Sequence, residues 1–366
     1  MNMGQHKEVR CSRKSIIIAA GGTGGHIYPA LAVAQALAAK GVDLLWIGVR
    51  NRMEEKIVPQ YFPIKYVDMR PLRGRGIKEM LTNPLYFLRA IWQAKKIIKK
   101  FKPQAILTMG GFVCAPVGVA ARRCKVPLIV HEQNAIAGWT NELLARSADR
   151  VLEAFPDSFK GPGAKKAQAV GNPLRADIVE APLQIEAPHK PLNILILGGS
   201  QGAHYLNSTV AKSLVSFIKK QQVLVLHQAG AGKESMVKTA YADVAEQVTI
   251  RPFLDDMYKA YAWADLIISR SGALSMCEIA CFGKPSILVP FPGAVGDHQR
   301  YNAEFLVKLG GAILLGQKEA VQEDWVRVIQ SLIDDPQRLC QMGKLALKMS
   351  HRDATEKVVA ICEDYL

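Results

Sequence analysis

Two short apolar runs, far apart in the chain, each break into a cluster of glycines and resume as a helical pattern. Ile16-Ile17-Ile18-Ala19-Ala20 runs into Gly21-Gly22-Thr23-Gly24-Gly25-His26, and Leu192 to Leu197 runs into Gly198-Gly199-Ser200-Gln201-Gly202. A strand that stops on glycines and restarts as a helix sets bare backbone N–H groups and a helix N-terminus against one point, which suits a diphosphate. Such a unit occurring twice predicts two nucleotide-type domains facing each other across a cleft.

The segments between these loops support that reading. Ser15–Ala20, Leu44–Gly48, Ile64–Asp68, Ala105–Met109 and Leu128–His131 are continuously apolar, as strands buried on both faces of a parallel sheet are. Helical patterns at Ala30–Lys40, Pro84–Phe101 and Ala115–Cys124 alternate with them. The second half repeats the scheme. Its strands are Asn193–Leu197, Val223–His227, Val248–Ile250, Leu266–Ser269 and Ser286–Val289, and its helices Ala203–Lys219, Ala273–Phe282, Asn302–Leu309 and Val321–Ile333. The fold class expected is α/β, as two doubly wound, Rossmann-like domains. Gly171-Asn172-Pro173 and the proline-bearing stretch after it put the division at 1–172 and 173–344. The last helical segment, about 345–366, is expected to dock back on the first domain.

With 366 residues the chain can fill two cores. No apolar run reaches the ~18 residues needed to span a bilayer. The basic N-terminus leads into an apolar run too short for a secretory signal. Seven scattered cysteines read as reduced thiols. Cys277 and Cys281 lie one helical turn apart but lack partners at zinc-site spacing, so no metal site is expected. The net charge of +15 calls for an anionic partner, and no nucleic-acid motif is present.

Known phosphate motifs do not fit the loops. Gly22-x-Gly24 is followed at the third place by Ile27, and the second strand ends Trp46-Ile47-Gly48-Val49-Arg50 without the ribose-binding acid of a dinucleotide site. Other strand ends carry Met109-Gly110-Gly111-Phe112-Val113, His131-Glu132-Gln133-Asn134, Ser269-Arg270-Ser271-Gly272-Ala273 and Asp297-His298-Gln299-x-x-Asn302-Ala303. Glycines beside hydroxyl, amide and carboxylate groups suit a sugar nucleotide. The amides bond sugar hydroxyls, a carboxylate takes the ribose, and loop N–H groups take the diphosphate.

In order and spacing, these segments together with Gly171–Arg175 resemble the MurG family of bacterial cell-wall glycosyltransferases over nearly the whole chain. The resemblance implies the two-domain glycosyltransferase-B fold. It also implies transfer of N-acetylglucosamine from UDP-N-acetylglucosamine to the lipid-linked acceptor lipid I, giving lipid II. Gly22, Thr23, Gly24 and Gly25 would then line the diphosphate-sugar side of the cleft. Asn134 would touch the sugar, Arg175 the nucleotide-sugar and Ser200 a phosphate. Leu254 would lie against uracil. Ala273, Leu274, Ser275, Met276 and Cys277 would form the helix turn over the diphosphate, with Glu278 on the ribose and Gln299 on the N-acetylglucosamine. Many members have Tyr-x-Ser where this chain has Phe112-Val113-Cys114, and one variant has Gln where it has Arg300.

Transfer needs a base for the acceptor hydroxyl. His26, at a helix start where the dipole keeps an imidazole neutral, is the first candidate. Its alternative role is capping or phosphate binding. Glu132 is the rival base, or else a carboxylate that holds its loop. No Asp-x-Asp triplet occurs, so no cofactor is required. The Ala273 helix, Ser200 and loop amides serve the leaving diphosphate, and a loosely held Mg²⁺ stays an open alternative.

Arg70, Arg73, Arg75, Lys78, Arg89, Lys95, Lys96, Lys99, Lys100 and Lys102 face a single acid, Glu79. On a helix at ~100° per residue, Phe87, Ile91, Ala94, Ile98 and Phe101 form a core seam. Leu85, Leu88 and Trp92 form a second stripe, continued by Lys95 and Lys99. An apolar patch with Trp beside lysines predicts peripheral binding to an anionic phospholipid surface, at the cytoplasmic face of the membrane where the acceptor lies. Three other readings are an epimerase of the same fold, a dinucleotide oxidoreductase and a non-catalytic basic binding protein.

Overall fold

The computed structural model describes residues 14–69, 77–182, 187–199 and 201–366, and the side chains of 77–83 and Val295 are not among those described. Ser200, Arg70, Arg73, Arg75 and the Lys78 side chain therefore lie outside the described residues.

Seven strands form the first sheet: β1 (Ser15–Ala19), β2 (Asp43–Gly48), β3 (Ile64–Tyr66), β4 (Ala105–Thr108), β5 (Leu128–Glu132), β6 (Arg150–Glu153) and β7 (Ala167–Ala169), in the order β3-β2-β1-β4-β5-β6-β7. Six form the second: β8 (Leu192–Leu197), β9 (Val223–Gln228), β10 (Val248–Arg251), β11 (Leu266–Ser269), β12 (Ser286–Leu288) and β13 (Ala312–Leu314), in the order β10-β9-β8-β11-β12-β13. The two orders are the same pattern, and the pairings of β1 with β2 and β4, and of β8 with β9 and β11, are parallel. The sequence expectation of two doubly wound α/β halves holds.

The continuous apolar runs are explained by burial on both faces. All five residues of β1 and all six of β8 are buried. Each isoleucine of Ile16-Ile17-Ile18 taken from water contributes about 1.5–3 kcal/mol. In β1 the register sets Ile16 beside Leu44 on one side and Ala105 on the other.

Some elements depart from their expected bounds. The first helix is Gly24–Ala39, starting at the glycines and not at Ala30. Pro29 lies inside it and removes only one bond near the N-terminus, a loss the buried Ile27, Leu31, Val33 and Leu37 outweigh. Likewise the helix expected at Asn302 begins at His298. The helix after Gly202 is interrupted by a π-helical turn at Leu206–Val210. Strands β6, β7 and β13 are three or four residues long, too short for a periodicity to show.

By contacts the chain separates into one unit of Met1–His131, Trp139–Val151 and Glu356–Leu366, and a second of Glu132–Gly138 and Leu152–Thr355. Within the first unit, Lys40 Nζ meets Glu363 Oε2 at 2.8 Å, at the end of the last helix (Ala354–Glu363), whose first two residues fall in the second unit. In the same unit, the helix Ile77–Phe101 buries Ile91, Ala94 and Ile98 of the expected seam, while its Phe87 and Phe101 are half-buried and Ala90, outside it, is buried as well.

Candidate active site

Open α/β sheets bind ligands beyond the carboxyl ends of their strands, where the strand order reverses. In the first sheet that point lies between β1 and β4, and in the second between β8 and β11. The glycine loops follow β1 and β8, Met109–Val113 follows β4 and Ser269–Ala273 follows β11, whereas His131–Asn134 lies at the end of β5 and Asp297–Ala303 comes after β12.

In the first unit, the loop after β1 is held from beneath. Gly21 N–H donates to the carbonyl of Gly110 at 3.3 Å, and Trp46 Nε1 donates to the carbonyl of Ala20 at 3.0 Å. Gly111 has φ +88°, and a side chain there would strike the carbonyl oxygen of Gly21. Glu54, fully buried, accepts Gly22 N–H on Oε2 at 3.0 Å and Val49 N–H on Oε1 at 3.2 Å. The amide of Gly22 is therefore engaged inside the protein. Among the described residues the amides of Thr23, Gly24 and Gly25 have no protein acceptor, and the Thr23 side chain does not cap the helix. Uncapped amides at a helix N-terminus have the geometry that suits an anion. His26 is the third residue of the helix and half-buried, its N–H donating to the Thr23 carbonyl at 3.1 Å.

In the second unit, Glu132 is 2% exposed and works locally. Its Oε1 accepts the backbone and side-chain N–H groups of Asn134 at 2.9 and 3.0 Å, and its Oε2 accepts Gly138 N–H at 3.1 Å. That geometry supports the loop-holding role of Glu132 over the catalytic one. Asn302, fully buried, accepts Ala135 N–H at 2.8 Å and donates to the Ser271 carbonyl at 3.2 Å and to Asn134 Oδ1 at 3.3 Å. It thereby ties the Asn134 loop to the turn after β11.

That turn opens the helix Ala273–Cys281, whose N-cap Gly272 offers no side chain to its first amides. Ala273, Leu274 and Ser275 supply uncapped N–H groups, while Met276 N–H closes onto the Gly272 carbonyl at 3.0 Å. Burial pushes the Cys277 thiol up to about 12, so it stays protonated. Glu278 accepts the Tyr261 hydroxyl on Oε2 at 2.8 Å, and its Oε1 lies 3.7 Å from the Arg175 guanidinium. Burial raises the Glu278 carboxyl, while the Arg175 charge and the Tyr261 hydrogen bond act against that rise.

Leu254 is half-buried and packs on the cluster containing Tyr261 and Ile279. Gln299 Oε1 accepts Phe291 N–H at 2.9 Å. In the second glycine loop Gly199 and Gly202 have φ +75° and +65°, and a side chain at Gly202 would strike the carbonyl of Ala229. Lys233 Nζ caps the carbonyls of Gln201 and Gly202 in this loop.

Known proteins share this arrangement. Residues 16–153 match the glycosyltransferase family 28 N-terminal domain, and residues 193–358 match its C-terminal domain. The UDP-N-acetylglucosamine–N-acetylmuramyl-(pentapeptide) pyrophosphoryl-undecaprenol N-acetylglucosamine transferase of Shewanella loihica is 44% identical over 359 residues, 96% of this chain and 97% of that protein. The chain is a family 28 glycosyltransferase. The transferase of the same name from Haemophilus ducreyi is 45% identical over 353 residues, 94% of this chain and 96% of its own. The crystal structure of Acinetobacter baumannii MurG superposes with a TM-score of 0.83 at 36% identity, covering 96% of this chain and 99% of that one.

The two departures noted in sequence have local accounts in this family 28 enzyme. The Cys114 thiol lies 3.2 Å from the Ala19 carbonyl and 3.0 Å from that of Gly110, and Arg52 stacks over the Phe112 ring at 5.6 Å. Arg300 pairs with Glu304 at 3.9 Å and Glu319 at 3.6 Å. Sequence reading missed Glu54, Asn302 as a tie, Tyr261 and Lys233. The sequence cue for Glu54 is its place just after the acid-free end of β2, four residues beyond Arg50.

Proposed function

We infer that this glycosyltransferase moves N-acetylglucosamine from UDP-N-acetylglucosamine to undecaprenyl-pyrophosphoryl-N-acetylmuramoyl-pentapeptide, the reaction named in its relatives, in peptidoglycan synthesis. The observation that carries the site assignment is Glu278. It is a carboxylate 5% exposed, with one oxygen engaged by Tyr261, on a helix whose first amides are uncapped. Such a unit accepts from ribose hydroxyls while its N-terminus faces a diphosphate. We assign Glu278 to the ribose, Leu254 to uracil, Ala273 to Cys277 and Ser200 to the diphosphate, and Arg175, Asn134 and Gln299 to the nucleotide-sugar. The first half (1–172) would serve the acceptor and membrane side, and 173–344 the donor.

The chemistry is a single displacement. The acceptor hydroxyl attacks the anomeric carbon, the bond to the UDP oxygen breaks, and UDP leaves with that electron pair. The configuration inverts from the α-linked donor to a β-linked product. His26 takes the hydroxyl proton, a role supported by the engagement of both Glu132 oxygens with backbone amides. Uncapped helix N–H groups stabilise the charge that grows on the leaving diphosphate.

Leu85 (69% exposed), Leu88 (55%) and Trp92 (55%), with Lys96 stacked on the Trp92 ring at 3.5 Å and Lys95 and Lys99 on the same helix, support peripheral binding to an anionic bilayer surface on the cytoplasmic side. Among the described residues, no helix is long and apolar enough to cross a membrane.

Transfer of labelled sugar from UDP-N-acetylglucosamine to a short-chain lipid I analogue tests the function. Wild type gives labelled product, and His26→Ala and Glu278→Ala do not. Turnover of the donor to an epimer without acceptor would instead support the epimerase reading.

A further inference from the structure

Glu278 lies in a pocket of side chains that leaves its two oxygens unlike. Oε2 receives the Tyr261 hydroxyl at 2.8 Å, while Oε1 lies 3.7 Å from Arg175, beyond hydrogen-bonding reach. Tyr261 is fully buried, and among the described residues its hydroxyl bonds to Glu278 alone. Its ring packs on Phe282 at 5.2 Å. Tyr261 belongs to the short helix Met257–Trp263, begun by Asp256, whose side chain accepts Lys259 N–H at 3.0 Å. Leu254 stands just before that helix and packs on the same apolar cluster. One rigid turn thus connects the residue assigned to the base with the carboxylate assigned to the ribose.

We propose that Tyr261 is the positioning residue of the ribose site: its hydroxyl fixes the rotamer of the Glu278 carboxylate and leaves Oε1 as the acceptor offered to the nucleotide's ribose. The proposal rests on the assignment of Glu278 made above. Three elements present titratable or charged groups to Glu278. Tyr261 comes from the Met257–Trp263 helix, Arg175 and Asp177 from the start of Ala176–Val179, and Cys277 from its own helix. Burial and the neighbouring carboxylate hold the Tyr261 phenol well above its usual value, so it remains a donor through the working range. Burial raises the Glu278 carboxyl, and the Tyr261 bond opposes that rise. Removing the hydroxyl moves Glu278 protonation to higher pH, and with it the acid limb of nucleotide binding.

Calorimetry of UDP and 2′-deoxy-UDP between about pH 5 and 8 tests this on the full chain. Wild type prefers UDP. Tyr261→Phe, which keeps the ring on Phe282, loses about tenfold of that preference and shifts the acid limb upward. Incorporating 3,5-difluorotyrosine at position 261, an isosteric and stronger donor, shifts the limb downward. Tyr261→Phe with the preference and limb of wild type, where Glu278→Gln loses the preference, overturns the positioning role alone. Glu278→Gln that retains the full preference overturns the ribose assignment and this proposal with it.

Discussion

The side-chain amides of Asn302 and Asn134 meet at 3.3 Å, joining residues 168 positions apart in the chain. Asn302 also accepts Ala135 N–H and donates to the Ser271 carbonyl, so one buried side chain satisfies three partners. Asn302→Ala leaves a buried amide and carbonyl without partners, at a cost of about 2–4 kcal/mol. Urea unfolding reads this as a lowered midpoint, and a midpoint equal to wild type contradicts the tie. Transfer activity falls as well, because Asn134 loses its orientation.

Glu54 shapes the first glycine loop from a buried position. Glu54→Gln replaces one of its two acceptors by an NH₂ group that confronts a backbone N–H, costing about 1–3 kcal/mol. Transfer to the lipid I analogue is expected to drop at least about tenfold, while UDP affinity, assigned above to residues of the other unit, stays within about twofold. Equal losses in both measurements would refute this division.

His26 and Glu132 separate by what each variant loses. His26→Ala is expected to keep its unfolding midpoint and UDP affinity and to lose about 10²–10⁴-fold in kcat. Glu132→Gln is expected to unfold at lower urea, since three N–H groups converge on its two oxygens. A stable, fully folded Glu132→Gln with kcat lost to the same degree would transfer the base role to Glu132.

His227 makes stability pH-dependent. It is fully buried, and desolvation lowers its pKa to about 3. Its Nε2 donates to Asn207 Oδ1 at 3.1 Å, since the Asn207 amide nitrogen already donates to the Ala229 carbonyl, and its Nδ1 accepts from the Tyr241 hydroxyl at 2.9 Å. The unfolded chain takes up a proton near pH 6.5 while the folded chain does not, so stability falls as pH drops from about 6.5 toward 3. At pH 5 the loss from this group is about 2 kcal/mol. Urea midpoints measured from pH 7 to 5 should fall less steeply in His227→Gln than in wild type.

The exposed stripe makes its own prediction. Trp92→Ala with Lys95→Glu removes the aromatic anchor and reverses a charge, and binding to anionic vesicles is expected to drop about tenfold or more in cosedimentation. Transfer to a water-soluble acceptor analogue stays at the wild-type rate. Undiminished vesicle binding removes the membrane assignment.

What the sequence by itself determined is the record of burial along the chain. Ile16 to Ile18 and Leu192 to Leu197 could only be interior strands, and glycines after each strand marked where the chain turns. Leu85, Leu88 and Trp92 stood off the seam of Ile91, Ala94 and Ile98, and all three are exposed. These signals are local, since apolar periodicity and turn chemistry are written within about ten residues. Only the tertiary structure decided which polar atom answers which. Glu54 turns back to Gly22, Asn302 reaches Ala135 and Asn134, Tyr261 meets Glu278, and Glu132 closes on its own loop. A hydrogen bond depends on where two distant backbones cross, and no spacing along one segment encodes that crossing.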